Sequence, residues 1–301
     1  MAGALGSDFD ISDLARLSDD GYDRLAPFTW PQNPRQTGGR FFGSGRFHTP
    51  DGRARMLPIR PGLPTAPGPD APFRLNTGRI RDQWHTMTRS AKSPRLSQHL
   101  AEPFVELHPA DAARPGIAAA DLVRLETAQG TAILRALISD RVAPGEVFAP
   151  MHWTAETASA ARIDALVPAV VDPVSGQPES KAAAVALRRF AARWYGFAVS
   201  AAEIFPQADY CAKSRIRNGW RIELAGVQTP PDWAAYAAVL FGLPHSNPSV
   251  LTDRARGLTR LAYYQGDRLI AALFAGPDPV ALAQAAFIAG NQNPGRSAPR
   301  A

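Results

Sequence analysis

At 301 residues, the chain has room for two modest domains, or for one domain with long extensions. Apolar residues make up 45% and charged residues 20%, which permits an ordinary buried core and excludes wholesale disorder. The net charge of +6 is carried mainly by arginine, and the single cysteine, Cys211, excludes a disulfide framework, a Cys-based zinc site or an iron–sulfur cluster held by this chain alone.

The N-terminal stretch MAGALGSDFDIS has neither a basic n-region nor an apolar h-region, so no signal peptide is expected. Apolar runs fall far short of the roughly 20 residues a membrane-spanning helix needs. With one thiol, a reduced, cytoplasmic setting is expected. Charge is uneven along the chain. Residues 1–30 hold six acids (Asp8, Asp10, Asp13, Asp19, Asp20 and Asp23) against Arg16 and Arg24, a net of −4. Residues 74–95 hold Arg74, Arg79, Arg81, Arg89, Lys92 and Arg95 against Asp82, a net of +5. Such a block suits a nucleic acid, a membrane surface or a phosphorylated small molecule, or else is a solvated arginine-rich face.

The lead, with YDRLAPFTWPQNP and GGRFFGSGRFHTPDGRARMLPI, is turn-rich and has too few apolar residues for its own core; it is expected to lie over another surface. Pro58–Pro72 holds six prolines in fifteen residues, which excludes a helix or inner strand and reads as an extended linker. Residues 1–72 are therefore an irregular lead and linker. From 73 to 192 the pattern is β: FRLNTG (Phe73–Gly78), FVELH (Phe104–His108) followed by a helical turn at Pro109, a hairpin of DLVRLET and TAILRALIS about Gln129-Gly130, a short strand at Val147–Ala149, and AVALRRF (Ala184–Phe190). Short strands joined by turns point to a closed barrel or sandwich.

Residues 193–290 read as a small α+β unit. GWRIELAG (Gly219–Gly226) is a strand, DWAAYAAVLFG a helix with Asp232 as N-cap and Gly242 as its stop, and LTRLAYYQGDRLIAALF a hairpin turning at Gln265-Gly266-Asp267. DPVALAQAAFIAG predicts a last helix starting at Asp278-Pro279 and ending at Gly290. Residues 291–301 are expected to form a disordered tail. The fold class is thus mainly β with an α+β extension.

Common catalytic signatures are absent: there is no GxSxG, HExxH or Walker loop. Lys213 and Arg215 beside Cys211 would lower its pKa, yet no histidine pairs with it by pattern, and it reads as structural. His85, His99, His108 and His152 lack metal-ligand spacing, being 14, 9 and 44 residues apart. The segment NTGRIRDQWHTMTRS (Asn76–Ser90) is different: amides freed at a glycine turn bind phosphate, arginines add charge-assisted bonds, and Trp84 and His85 offer flat faces for a ring system. The alternative is a basic loop anchored by a buried Trp84.

The stretch LNTGRIRDQWHTMTRSAKSPRLSQHLAEPFVELHPADA closely resembles the cofactor-binding segment of bacterial assimilatory nitrate reductases, in the molybdopterin oxidoreductase superfamily. EVFAPMHW (Glu146–Trp153) and VVDPVSGQPESK, ending at Lys181, resemble further family stretches in the same order, and the lead resembles the family's approach to this domain. The resemblance implies a double-psi β-barrel of the molybdopterin dinucleotide-binding type. It implies that Thr77, Gly78, Arg79, Gln83, Trp84, His85, Thr86 and Lys181 contact the cofactor, bis-molybdopterin guanine dinucleotide with molybdenum. Trp153 falls in the substrate-funnel region, as does Asp164, where distant relatives place an asparagine and a carboxylate would repel nitrate.

The family's iron–sulfur and molybdenum-ligating cysteines lie far upstream, and no catalytic residue, metal ligand or iron–sulfur ligand is assigned to this chain. The resemblance therefore implies the C-terminal segment of an enzyme that shares its cofactor with an N-terminal molybdenum- and [4Fe–4S]-bearing part. Nitrate is its small-molecule substrate, with no nucleic acid or membrane as partner. Rival readings are a formate dehydrogenase-like relative, a non-catalytic remnant, and a basic nucleic-acid module. If Gly78 lets a pyrophosphate approach the backbone, valine there is expected to abolish cofactor retention and spare the barrel's melt.

Overall fold

The computed structural model describes residues 11–279, apart from positions 31, 34–35, 38, 41, 48, 59–61 and 174. The helix expected over Asp278–Gly290 lies, beyond Pro279, outside the described residues, as do the tail 291–301 and the first ten residues. The chain divides into two compact units, Met1–Gly62 and Leu63–Ala301. In the first, a 3-10 turn at Ser12–Arg16 precedes α1 (Asp19–Asp23), whose N-cap Ser18 accepts the Gly21 N–H at 3.2 Å. A two-residue antiparallel pair, β1 (Gln32–Asn33) with β2 (Gln36–Thr37), follows. None of the described residues of this unit is buried, as its scarcity of apolar side chains dictates.

In the second unit β3 (Phe73–Gly78), β4 (Phe104–Leu107), β5 (Leu122–Glu126), β6 (Thr131–Ile138), β7 (Glu146–Pro150) and β8 (Ala183–Arg189) close into a barrel, in the order β3-β7-β4-β6-β5-β8. The barrel is mixed: β3 runs parallel to β7 and β4 to β6, and the other pairs are antiparallel. Period-two patterning fills it. In β3, Phe73, Leu75 and Thr77 point inward while Asn76 is exposed. Leu75, Leu107, Leu122, Leu125 and Leu134 are completely buried, each stabilising the fold by roughly 1.5–3 kcal/mol relative to exposure. Between β4 and β5, α2 (Pro109–Ala113) begins with Pro109, and the His108 ring accepts the Ala110 N–H.

Beyond the barrel, β9 (Trp194–Ser200), β10 (Tyr210–Ile216), β11 (Gly219–Gly226), β12 (Ser249–Asp253), β13 (Leu258–Gln265) and β14 (Arg268–Gly276) form one antiparallel sheet ordered β10-β11-β9-β14-β13-β12. Its helix, α3 (Trp233–Phe241), starts where Asp232 accepts the Ala234 and Ala235 N–H groups and stops at left-handed Gly242. The hairpin about Gly266 is present as β13–β14. Three strands of this sheet escaped the sequence reading. β9 is buried throughout and shows no alternation, β10 carries Lys213 inside a buried run, and β12 is an exposed edge with little apolar content.

The sheet packs on the barrel, since Tyr195, Tyr210, Ala212 and Ala225 join the barrel's apolar core. A polar cluster sits at this junction. Glu102 accepts bonds from Arg135 at 2.6 and 3.1 Å and from the Tyr210 hydroxyl at 2.8 Å, and Arg221 holds Glu223 at 2.7 Å. Burial, reinforced by the Glu102 carboxylate, pushes Glu223 up to about 7.

Candidate functional site

Barrel topology gathers three separate segments at one end. Because β3 and β7 are parallel, with Thr77 opposite Ala149 and Gly78 opposite Pro150, the loops that leave both strands emerge together. Because β8 runs antiparallel to β3, with Ala183 opposite Leu75, the residues just before β8 arrive at the same end. Residues 77–90, 150–153 and 180–181 are thereby neighbours.

The polar contacts follow from that placement. The Thr77 hydroxyl donates to the Ser180 carbonyl at 2.6 Å, and the Lys181 ammonium donates to the Thr77 carbonyl. The Gly78 carbonyl accepts the Met151 N–H at 2.9 Å. A Cβ built on Gly78 would stand 2.9 Å from the Phe148 ring and 3.9 Å from Lys181 Nζ. The absent side chain thus faces the protein's own Phe148, and Gly78 has no left-handed backbone angle to satisfy. A side chain at Gly78 would therefore first displace the half-buried Phe148 ring, which bears on the expectation that valine spares the melt.

Downstream, the Arg79 guanidinium lies over the Trp84 ring at 4.9 Å, and His85 meets that ring edge-on at 4.3 Å. Trp84 is 53% exposed, so it is not the buried anchor of the alternative reading. Thr86 is exposed as well. Arg81 is taken up by Asp82 at 3.0 Å, which also binds His99 at 2.8 Å. Two non-glycine residues of this loop, His85 (φ 41°) and Met87 (φ 60°), adopt left-handed backbone, at a cost of roughly 1–2 kcal/mol each.

A residue that sequence reasoning did not select braces the loop. His152 is completely buried; its Nε2 accepts the Ile80 N–H at 2.9 Å, and its Nδ1–H donates to the His85 carbonyl at 2.6 Å. These two bonds require the neutral Nδ1–H tautomer. Burial lowers its pKa below the usual histidine value, with the charge of Arg79 acting in the same direction and the bond to His85 opposing it. Its lone occurrence in MHW carries no ligand spacing, and only the family resemblance of that stretch marked it.

Gln83 and Trp153 are both buried and line a cavity of about 430 Å³ with Lys92, Lys213, Arg215 and Trp220. Gln83 Oε1 has no hydrogen-bond partner among the described residues. Asp164 is the exposed residue of a 3-10 turn (Ile163–Leu166) whose two ends are buried, is ion-paired with Arg162 at 3.3 Å, and does not line that cavity. Cys211 is buried in β10, and burial pushes its thiol up to about 12, overriding the nearby Lys213. Lys213 is instead bound to Glu203 at 2.8 Å. That fits the structural reading of the cysteine and removes the activated one. Among the described residues no group of three side chains is arranged to hold a metal ion, and no helix is long and apolar enough to cross a membrane.

The mixed barrel gathers cations, a glycine strand end and an aromatic face at one rim, and residues 73–184 match the family model of the Molydopterin dinucleotide binding domain. The chain is homologous to the C-terminal region of nitrate reductases, the assimilatory type included. It is 40% identical over 228 residues to a nitrate reductase of Klebsiella oxytoca, covering 75% of this chain and 26% of that protein. It is 31% identical over 180 residues to an assimilatory nitrate reductase catalytic subunit of Bacillus subtilis, covering 58% and 25%. An F420-dependent formate dehydrogenase subunit alpha of Methanocaldococcus jannaschii is 30% identical over 162 residues, covering 53% and 23%. The chain spans about a quarter of the length of these relatives.

The residues at the barrel rim fit a molybdopterin dinucleotide. Among the described residues, neither Arg79 nor Lys181 faces a carboxylate within ion-pairing distance, so both cations remain available to a diphosphate. The exposed Trp84 ring supplies a stacking surface for a ring system.

Proposed function

We propose that this chain is the cofactor-gripping segment of a molybdenum nitrate reductase, holding bis-molybdopterin guanine dinucleotide together with an N-terminal molybdenum- and [4Fe–4S]-bearing part. The observation that carries the reading is the pair of cations, Lys181 fixed on the Thr77 carbonyl and Arg79 over Trp84, on either side of Gly78. Lys181 and Arg79 bind the diphosphate, Trp84 and His85 give the loop a flat ring surface, and Trp153 walls the adjoining cavity. Asp164 belongs to this proposal as a funnel residue only through the family resemblance. When bound, the molybdenum cofactor supplies the two-electron chemistry that takes nitrate to nitrite. A cytoplasmic location is part of the reading, supported by the single thiol and the assimilatory relative.

Titrating the full chain with GDP, as a soluble stand-in for the guanine dinucleotide end, tests the grip. Lys181→Ala and Arg79→Ala are each expected to weaken binding by roughly 10–100-fold, from the 1.5–3 kcal/mol of a charge-assisted hydrogen bond. Equal affinity in wild type and both variants would refute the assignment. Co-expression with the N-terminal part tests the wider reading: a complex without molybdenum contradicts it. The formate dehydrogenase relative favours a second reading, which formate activity without nitrate activity in that complex would establish.

A further inference from the structure

We propose that His152 is the positioning residue of this site, a buried neutral strut that holds the Arg79–Thr86 loop in its binding-ready shape. The inference rests on the reading of that loop as a cofactor grip, and goes beyond it by assigning a role to a side chain that is not itself placed on the ligand. His152 follows β7 directly, so the barrel fixes its backbone, whereas the loop it touches carries no helix or strand between Gly78 and Ser90. Its two ring nitrogens reach the loop at two points five residues apart, the Ile80 N–H and the His85 carbonyl. Those points bracket Arg81 to Trp84, and the second is one of the two left-handed residues that the loop cannot adopt cheaply. No other side chain type offers an acceptor and a donor on opposite edges of one rigid ring. The strut works in one protonation state only, because a proton on Nε2 would set two donors, Nε2–H and Ile80 N–H, against each other. Arg79 and His85 are the charged or titratable groups that face the ring; the charges of both oppose its protonation, and the bond to the His85 carbonyl favours it.

The variants separate the two bonds. His152→Gln retains an acceptor for Ile80, His152→Asn retains a donor for His85, and His152→Ala retains neither. Hydrogen exchange on the full chain, corrected for intrinsic rates, reads the amides of residues 79–90, and GDP titration reads binding. His152→Ala is expected to lower protection of Ile80 and its neighbours by at least about tenfold and to weaken GDP by a similar factor, the loss that two net hydrogen bonds imply. Gln and Asn should each recover part of both. Wild-type protection should fall as pH drops below about 6.5, in His85→Gln as well, and stay flat in His152→Gln. If His152→Ala misfolds, the Gln and Asn variants and the wild-type pH profile still decide. Unchanged loop protection in the variants, or lost protection with GDP affinity intact, overturns the positioning role alone. Absence of GDP binding by the wild-type chain overturns the grip itself, and the positioning role falls with it.

Discussion

Adding one methyl group at Gly78 tests how the binding end of the barrel is built. The new Cβ would lie 2.9 Å from Phe148 Cε2, closer than carbon atoms approach in folded proteins, so the ring must retreat by several tenths of an ångström. Phe148 is flanked by Phe104, at a centroid distance of 6.3 Å, and sits in β7 between the buried Val147 and Ala149. Because Phe148 is only half-buried and Cε2 is the far end of its side chain, the shift costs about 1 kcal/mol, the low end for overpacking. For a unit of this size, that corresponds to roughly 2–4 °C in the melting midpoint. Gly78→Ala is therefore expected to melt lower than wild type, and Gly78→Val lower still. Trimming the opposing ring should relieve the clash, so the Gly78→Ala/Phe148→Leu double variant should lose less than the sum of the two single changes. Thermal melts of the four proteins make the measurement, with GDP affinity recorded on each folded variant. A Gly78→Ala protein that melts like wild type, or strictly additive losses, would refute the packing account and return the glycine to a role in ligand approach.

Glu223, pushed up to about 7 by burial and Glu102, holds its proton more tightly in the fold than in the unfolded chain, whose carboxyl titrates near 4.5. Stability from this group is therefore present below about 4.5 and is lost as pH rises through 7, by about 3 kcal/mol at most. Glu223→Gln should raise the melting midpoint at pH 8 and flatten its pH dependence between 5 and 7.5; an unaltered profile contradicts the assignment. Cys211, buried and with its thiol held near 12, should resist a thiol reagent in the native chain and react at the rate of unfolding, as a stopped-time labelling assay would show. Asp232→Ala removes the acceptor for two N–H groups of α3 and should cost about 1 kcal/mol, read as a lower denaturant midpoint with unchanged slope.

Much of this architecture is written in local chemistry. Phe73, Leu75 and Thr77 alternate because one face of β3 is wet at Asn76, and Asp232 and Gly242 bound α3 because helix ends need an acceptor and a left-handed exit. The density of arginine after Thr77-Gly78 marks the loop by composition and by family resemblance. Other features have no local signature. In β9, WYGFAVS is covered on both faces, so the periodicity that announces a half-buried strand is erased. In β10, Lys213 lies inside the fold because Glu203 binds its ammonium, a partner that sequence pattern does not supply. Gly78 reads as a turn residue for ligand approach, and only the parallel pairing with β7 puts Phe148 where its Cβ would be. His152 is the clearest case. Its bonds run to a backbone N–H 72 residues away and a carbonyl 67 residues away. Backbone groups are the same whatever the residue, so no pattern of side chains records where they will meet a ring; the closure of the barrel decides that.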